Sequence, residues 1–250
     1  SFSIDRTLAG IDLIVYQANE VNIMQIRTKF LSTVVLIAVV LSSVMPGVSA
    51  QADSRLTIGI PSDPVTLDIH EVLATASAQI MFHLGATLVA IDPISGEYVP
   101  YLAETWSVSD DGLVWEFKLR EDVVFHDGTP LTAEAYAWTI NRVLSAEDPN
   151  QYRAVKLMVG NIEQAIVVDS YVLQLKMKNP DTTILSALRS TWLQPLSPTA
   201  VESAGDDYRL NPVGVGRYKF KEWLPGEKLV FERFDDYSWG PAFTSGGPAH

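Results

Sequence analysis

The stretch from Trp106 to Arg120 constrains the fold more than any other part of the chain. Leu113, Trp115, Phe117 and Leu119 alternate with Val114, Glu116, Lys118 and Arg120. Successive side chains of an extended strand point to opposite faces, so this pattern predicts a β-strand with one buried face. Trp106 and Val108 precede it across Ser109-Asp110-Asp111-Gly112. A polar run ending in glycine predicts a tight hairpin turn. Calcium is the other reading of that run, but the loop has no further oxygen ligands at alternate positions and no closing glutamate.

The same reasoning extends along the chain. Leu56, Ile58 and Ile60 alternate as a short strand that Pro61-Ser62-Asp63-Pro64 ends. Ala74 to Val89 predicts a helix running into a strand near Leu88–Ile91, and Val123 to Phe125 a short strand before the turn at His126-Asp127-Gly128. Thr132 is placed to cap a helix, Glu134 suits its first turn, and Tyr136, Ile140, Val143 and Leu144 share one face. Asp148-Pro149-Asn150 stops that helix. Ile166–Val168 and Tyr171–Met177 predict a second hairpin about Asp169-Ser170, and Ile184 to Leu193 reads as helical. Tyr218–Trp223 and Leu229–Arg233 predict a third hairpin about Pro225-Gly226. Helices interleaved with hairpins place the chain in a mixed α/β or α+β class.

Composition narrows function. The formal net charge of -12 disfavours a nucleic-acid partner, which needs a basic face. There is no cysteine, which excludes disulfides, thiolate catalysis and a lipid-anchored amino-terminal cysteine. His70, His83, His126 and His250 are too scattered for metal-ligand spacing, so no metal is expected. No G-x-S-x-G, H-E-x-x-H or G-x-x-x-x-G-K-[ST] occurs. His126 beside Asp127 suggests a base and its orienter, but adjacent residues at a strand end point apart, so a structural turn is the preferred reading. No catalytic residue is assigned. The six tryptophans are expected mostly in the core, with one or two near a ligand.

The first fifty residues read differently. Arg27 and Lys29 precede a mostly apolar run from Phe30 to Val44, then Pro46-Gly47, then the small residues Val48-Ser49-Ala50. The run is short for a bilayer span, which takes about 20 residues. A cleavable signal peptide over 24–52 is expected, with an uncleaved anchor as the alternative. Asp5, Asp12 and Glu20 do not suit the front of a signal peptide. Residues 1–23 are therefore read as upstream sequence wrongly joined to the frame, with translation starting at Met24.

Several stretches together resemble family 5 of the bacterial extracellular solute-binding proteins, the dipeptide-, oligopeptide- and nickel-binding components of ABC importers. Leu67-Asp68-Ile69-His70 resembles that family's Leu-Asp-Pro-His. Tyr101-Leu102-Ala103-Glu104-Thr105-Trp106 through Gly112-Leu113 is similar to its most recognisable motif, and Phe117–Arg120 and Val124–Glu134 continue it. Asn211–Phe220 is similar to a late motif in which the family usually has proline where this chain has Arg217. Asp235-Asp236-Tyr237 with Trp239 resembles the segment that follows.

The resemblance implies a type II periplasmic-binding-protein-like, two-lobed α/β fold. It implies that residues 53–90 begin lobe one, 91–180 form an inserted subdomain and 181–250 return to lobe one, the chain being truncated before lobe two. It implies a peptide or small-molecule ligand, ABC importer permease subunits as partners, a monomer, no cofactor, and a periplasmic or extracellular location. The ligand-binding candidates are Ala74, Thr75, Ala76 and Ser77, where small residues permit close approach of a ligand backbone. A helix start explains the same residues. A ligand-sensing domain of the same fold and a secreted enzyme of unrecognised class are the competing functions. Expressed from Met24 in a secreting host, the exported protein should begin within a residue or two of Gln51 by mass spectrometry. Retention of residues 25–45 would refute the signal peptide.

Overall fold

In chain order the elements are α1 (Thr75–Leu84), β1 (Val89–Ile91), β2 (Tyr98–Pro100), β3 (Ala103–Val108), β4 (Val114–Leu119), α2 (Ala133–Leu144), α3 (Arg153–Val159), β5 (Ile162–Asp169) and β6 (Val172–Met177). There follow α4 (Ile184–Leu188), a 3₁₀ turn (Thr191–Leu193), α5 (Pro198–Ala204), a second 3₁₀ turn (Gly205–Leu210), β7 (Tyr218–Leu224) and β8 (Lys228–Arg233). The structure is a computed structural model that describes residues 55–244 apart from Val72 and Pro149. The upstream segment read at 1–23 and the signal peptide read at 24–52 lie outside the described residues.

The expected hairpin forms. β3 and β4 pair antiparallel across the 109–112 turn, where Gly112 takes φ +70°. β4 is central in a four-stranded antiparallel sheet of order β3-β4-β6-β5. Phe117 lies opposite Trp106 on one side and Leu173 on the other. Phe117 is 0% exposed, and Trp115, Leu119, Leu175 and Met177 are buried on the same face. Helix α2 covers that face with Tyr136, Ile140 and Val143, all buried. Thr132 caps α2 as expected, its Oγ1 accepting from Ala135 N at 3.3 Å. The opposite face is polar: Lys118 pairs with Glu104 at 3.2 Å and Lys176 with Glu163 at 3.1 Å.

A second core joins α1 to the loop before it. Leu67, Ile69, Ile80, Met81, Leu84, Leu196 and Tyr208 are buried together, and Phe220, Trp223, Leu229 and Phe231 of the β7–β8 hairpin pack against them. Gly214 and Gly216 run backbone-to-backbone against the end of α1. A Cβ added at Gly214 would stand 2.0 Å from Leu84 O, and one at Gly216 2.6 Å from Leu84 C, so both positions require glycine.

Three elements differ from expectation. Residues 55–60 are extended but pair with no strand among the described residues, and Leu56 and Ile58 are 80% and 61% exposed. Alternation sets a strand's faces but does not supply the neighbour that makes it a ladder. Val123–Phe125 forms only an isolated bridge, Val124 to Pro130. The helix expected over 184–193 breaks at Arg189, and the chain restarts as a 3₁₀ turn whose first amides Ser190 Oγ caps through Trp192 N at 3.4 Å. Helices α3 and α5 were not expected, being too short to show a full apolar period.

The sheet yields a stability prediction. In the full-length polypeptide, Phe117→Ala should cost about 3–5 kcal/mol through the cavity it leaves. Lys118→Ala, on the solvated face, should change stability by under about 1 kcal/mol. A urea midpoint unmoved by Phe117→Ala would contradict the register.

Candidate functional site

The loop from Thr66 to His70 is buried at every residue, including the charged one. Its neighbours brace it. Leu67 N donates to Arg209 O at 2.9 Å, His70 N to Asp68 Oδ1 at 3.0 Å, and Ser77 Oγ to Thr66 O at 2.7 Å. Thr66 Oγ1 donates to Glu71 Oε2 at 2.7 Å. These bonds aim the Asp68 carboxylate, 2% exposed, at the last turn of α2.

Arg142 meets it there. Nη2 donates to Asp68 Oδ2 at 2.6 Å and Nη1 to Oδ1 at 3.2 Å, a two-pronged pair. Nη1 also lies 2.9 Å from His70 Nδ1. A guanidinium can only donate, so Nδ1 accepts and the His70 proton sits on Nε2. Burial drives the His70 pKa from its ordinary 6.5 to about 3, so the ring is neutral. Its Nε2 has no hydrogen-bond partner, and the ring stands edge-on to Tyr152 at 5.7 Å between centroids.

Tyr152 is the other unusual residue. It is the one non-glycine with positive φ (55°) among the described residues, a conformation that costs about 1–3 kcal/mol. Its ring lies 4.6 Å from Arg142 Cζ, and the Trp138 ring stands 5.9 Å from the same atom. Cation–π attraction and the His70 edge contact hold the strained residue in place. Together Trp138, Arg142 and Tyr152, with Asn141, Ser145, Ala146 and Gln151, line a cavity of about 380 Å³. That is within the size range of small-ligand pockets.

The residues expected from sequence to face a ligand are not in this lining. Ala74 is half-buried at the start of α1 and Thr75 is exposed. Ala76 is buried, and the Ser77 hydroxyl is committed to Thr66 O. Thr66 in turn lines a second cavity of about 480 Å³ with Val65, Glu71, Arg209 and Leu210. Trp138, Arg142 and Tyr152 were not singled out as site residues. The available signal was Asp68 and His70 standing in an otherwise apolar stretch, since a buried charge requires a partner.

His126 does not form a base–orienter pair. Its Nε2 lies 2.9 Å from Gly216 O and its Nδ1 accepts from Gly214 N at 3.3 Å, so the ring pins the glycine loop. Burial lowers its pKa to about 4. Asp127 instead accepts from Ser197 Oγ at 2.5 Å, and Gly128 turns the chain at φ +85°. Among the described residues no group of three or more His, Asp or Glu side chains could hold a metal ion, and no helix is long and apolar enough to cross a membrane.

Residues 97–250 match the family model described as bacterial extracellular solute-binding proteins, family 5 middle. The chain belongs to this family. It is 27% identical over 206 residues to the glutathione-binding protein GsiB of Escherichia coli O1:K1, covering 82% of this chain and 39% of that protein. The Helicobacter pylori periplasmic binding protein DppA in complex with the peptide STSA superposes with a TM-score of 0.65 at 26% identity, covering 72% of this chain and 39% of DppA. The A. tumefaciens R10 binding protein AgaA in complex with agropinic acid gives 0.63 at 26%, covering 70% and 35%. The α/β fold is therefore that of the type II periplasmic binding proteins, and this chain spans about two fifths of those relatives' length.

Two neutral histidines, His70 buried and His126 half-buried, shape the pH response. His70 and His126 resist protonation in the folded state, with pKa values near 3 and 4 against an ordinary 6.5. Their contribution to stability is fully present above pH 6.5 and is lost as pH falls toward 4 and then 3, because the unfolded chain takes up protons that the folded one refuses. Urea unfolding from pH 7 to pH 5, where few carboxylates titrate, should show proton uptake rising toward one per histidine. A flat profile would show that the rings are accessible.

Proposed function

We propose that the protein is the extracytoplasmic solute-binding component of an ABC importer and takes up peptides or peptide-like solutes. The observation that carries this is the 380 Å³ cavity at the Arg142–Tyr152 junction, whose walls are held by buried contacts rather than by a catalytic constellation. Family membership and the ligands named for GsiB, DppA and AgaA support the same reading. In it, the sheet of β3 to β6 with α2 and α3 is the inserted subdomain over 91–180, and residues 53–90 and 181–250 contribute to lobe one. A second lobe closes over the solute by hinge motion, burying it between two surfaces. The segment Ala74–Ser77 borders the cleft at Thr75, and the permease subunits receive the closed form. Export through the signal peptide at 24–52 delivers the protein to the periplasm or cell exterior.

Calorimetry on the full-length polypeptide with a pool of di- to pentapeptides tests this. Micromolar binding is expected, accompanied by a rise in unfolding temperature. No binding to any member of the pool, together with turnover of a peptide or ester substrate, would overturn the proposal in favour of an enzyme.

A further inference from the structure

Most of the polar groups lining the Arg142 cavity are already engaged; the Gln151 amide and the Tyr152 hydroxyl, which interact with each other, are the exceptions. Both terminal nitrogens of Arg142 are engaged by Asp68 and His70. Asn141 gives Nδ2 to Ala165 O at 3.0 Å and accepts from Ala165 N at 3.2 Å through Oδ1. Ser145 Oγ donates to Asn141 O at 2.7 Å. What the lining offers an occupant is chiefly flat surface: two aromatic rings, with the guanidinium within 6 Å of both.

Charge is disfavoured in either sign. An entering carboxylate meets a guanidinium that Asp68 already neutralises, so it exchanges hydration for little attraction. An entering ammonium comes close to Arg142 and to Lys156, whose Nζ is anchored at Ala146 O at 2.8 Å on the same rim. A planar uncharged ring suffers neither cost and stacks on Trp138, Tyr152 or the guanidinium plane.

We propose that this cavity is a side-chain slot for an uncharged aromatic group of the solute, with Trp138 and Tyr152 as its walls. The proposal rests on the solute-binding reading of the protein. Of two dipeptide ligands that differ in one residue, the one carrying phenylalanine binds more tightly than the one carrying glutamate or lysine. Stacking of this kind gives a preference of roughly three- to tenfold.

The test is calorimetry on the full-length polypeptide with alanyl dipeptides of both orders bearing Phe, Ala, Glu or Lys. The expected result is tightest binding for a Phe dipeptide. Trp138→Ala should bring Phe and Ala dipeptides to within about twofold of each other, whereas Trp138→Phe should keep most of the preference. As a measurement independent of the alanine variant's folding, the ¹⁹F signal of 5-fluorotryptophan at 138, assigned by Trp138→Phe, should shift with Phe dipeptides and not with Glu dipeptides. Equal or tighter binding of the charged dipeptides, or a preference that survives Trp138→Ala, would overturn the slot and leave the importer reading standing. No binding by any dipeptide or longer peptide would overturn both.

Discussion

The contact between Asp68 and Arg142 fastens together two parts of the chain that also meet where Thr139 bonds Leu196 and Trp138 packs on the second core. Asp68 belongs to the loop that leads into α1 and the second core, while Arg142 belongs to the helix that covers the four-stranded sheet. Removing two charges from water is costly, and a buried pair often contributes no more stability than apolar residues of the same volume. Its value here is geometric. Two parallel hydrogen bonds fix both the distance and the rotation of the loop against α2, and an apolar contact would leave it free to slide. From that fixed loop, Thr66 holds Ser77, Ser77 sets α1, and the end of α1 receives Gly214 and Gly216.

The same arginine joins fold to function. With its nitrogens engaged by Asp68 and His70, its plane is free to support Tyr152, and the left-handed strain there is offset by that support. Without the stack, Tyr152 would have every reason to relax to negative φ, and the wall of the cavity would move with it. His70 adds to the arrangement by staying neutral: a protonated ring at that place would set a second cation against Arg142. The cavity is thus a by-product of how the loop and α2 are tied, which suits the proposed role of a preformed binding surface.

Much of the fold could be read in the sequence because its signals are local. The alternation in 113–119, the turn at Asp111-Gly112 and the cap at Thr132 each act over a few residues, and each is found where expected. The 55–60 segment shows the limit, since alternation marks a strand but the pairing partner is a long-range matter. The site was less legible for the same reason. Asp68 and Arg142 are 74 residues apart, and no periodicity links them. Asp68 and His70 were noticed as part of a motif. A buried Asp68 requires a cationic partner, but nothing local in the sequence says which, and only the packing selects Arg142. Small residues drew attention to 74–77, yet in the folded chain two of the four turn inward, because a helix start must also bury a face.

A double-mutant cycle on Asp68 and Arg142, read by urea unfolding of the full-length polypeptide, tests the central role of this contact most directly. Asp68→Asn and Arg142→Met should each cost about 3–5 kcal/mol, since each leaves a buried charge without its partner. The double variant should recover at least about 2 kcal/mol relative to the sum of the two. If the two losses add to within about 0.5 kcal/mol, the residues act independently and the contact does not organise the fold.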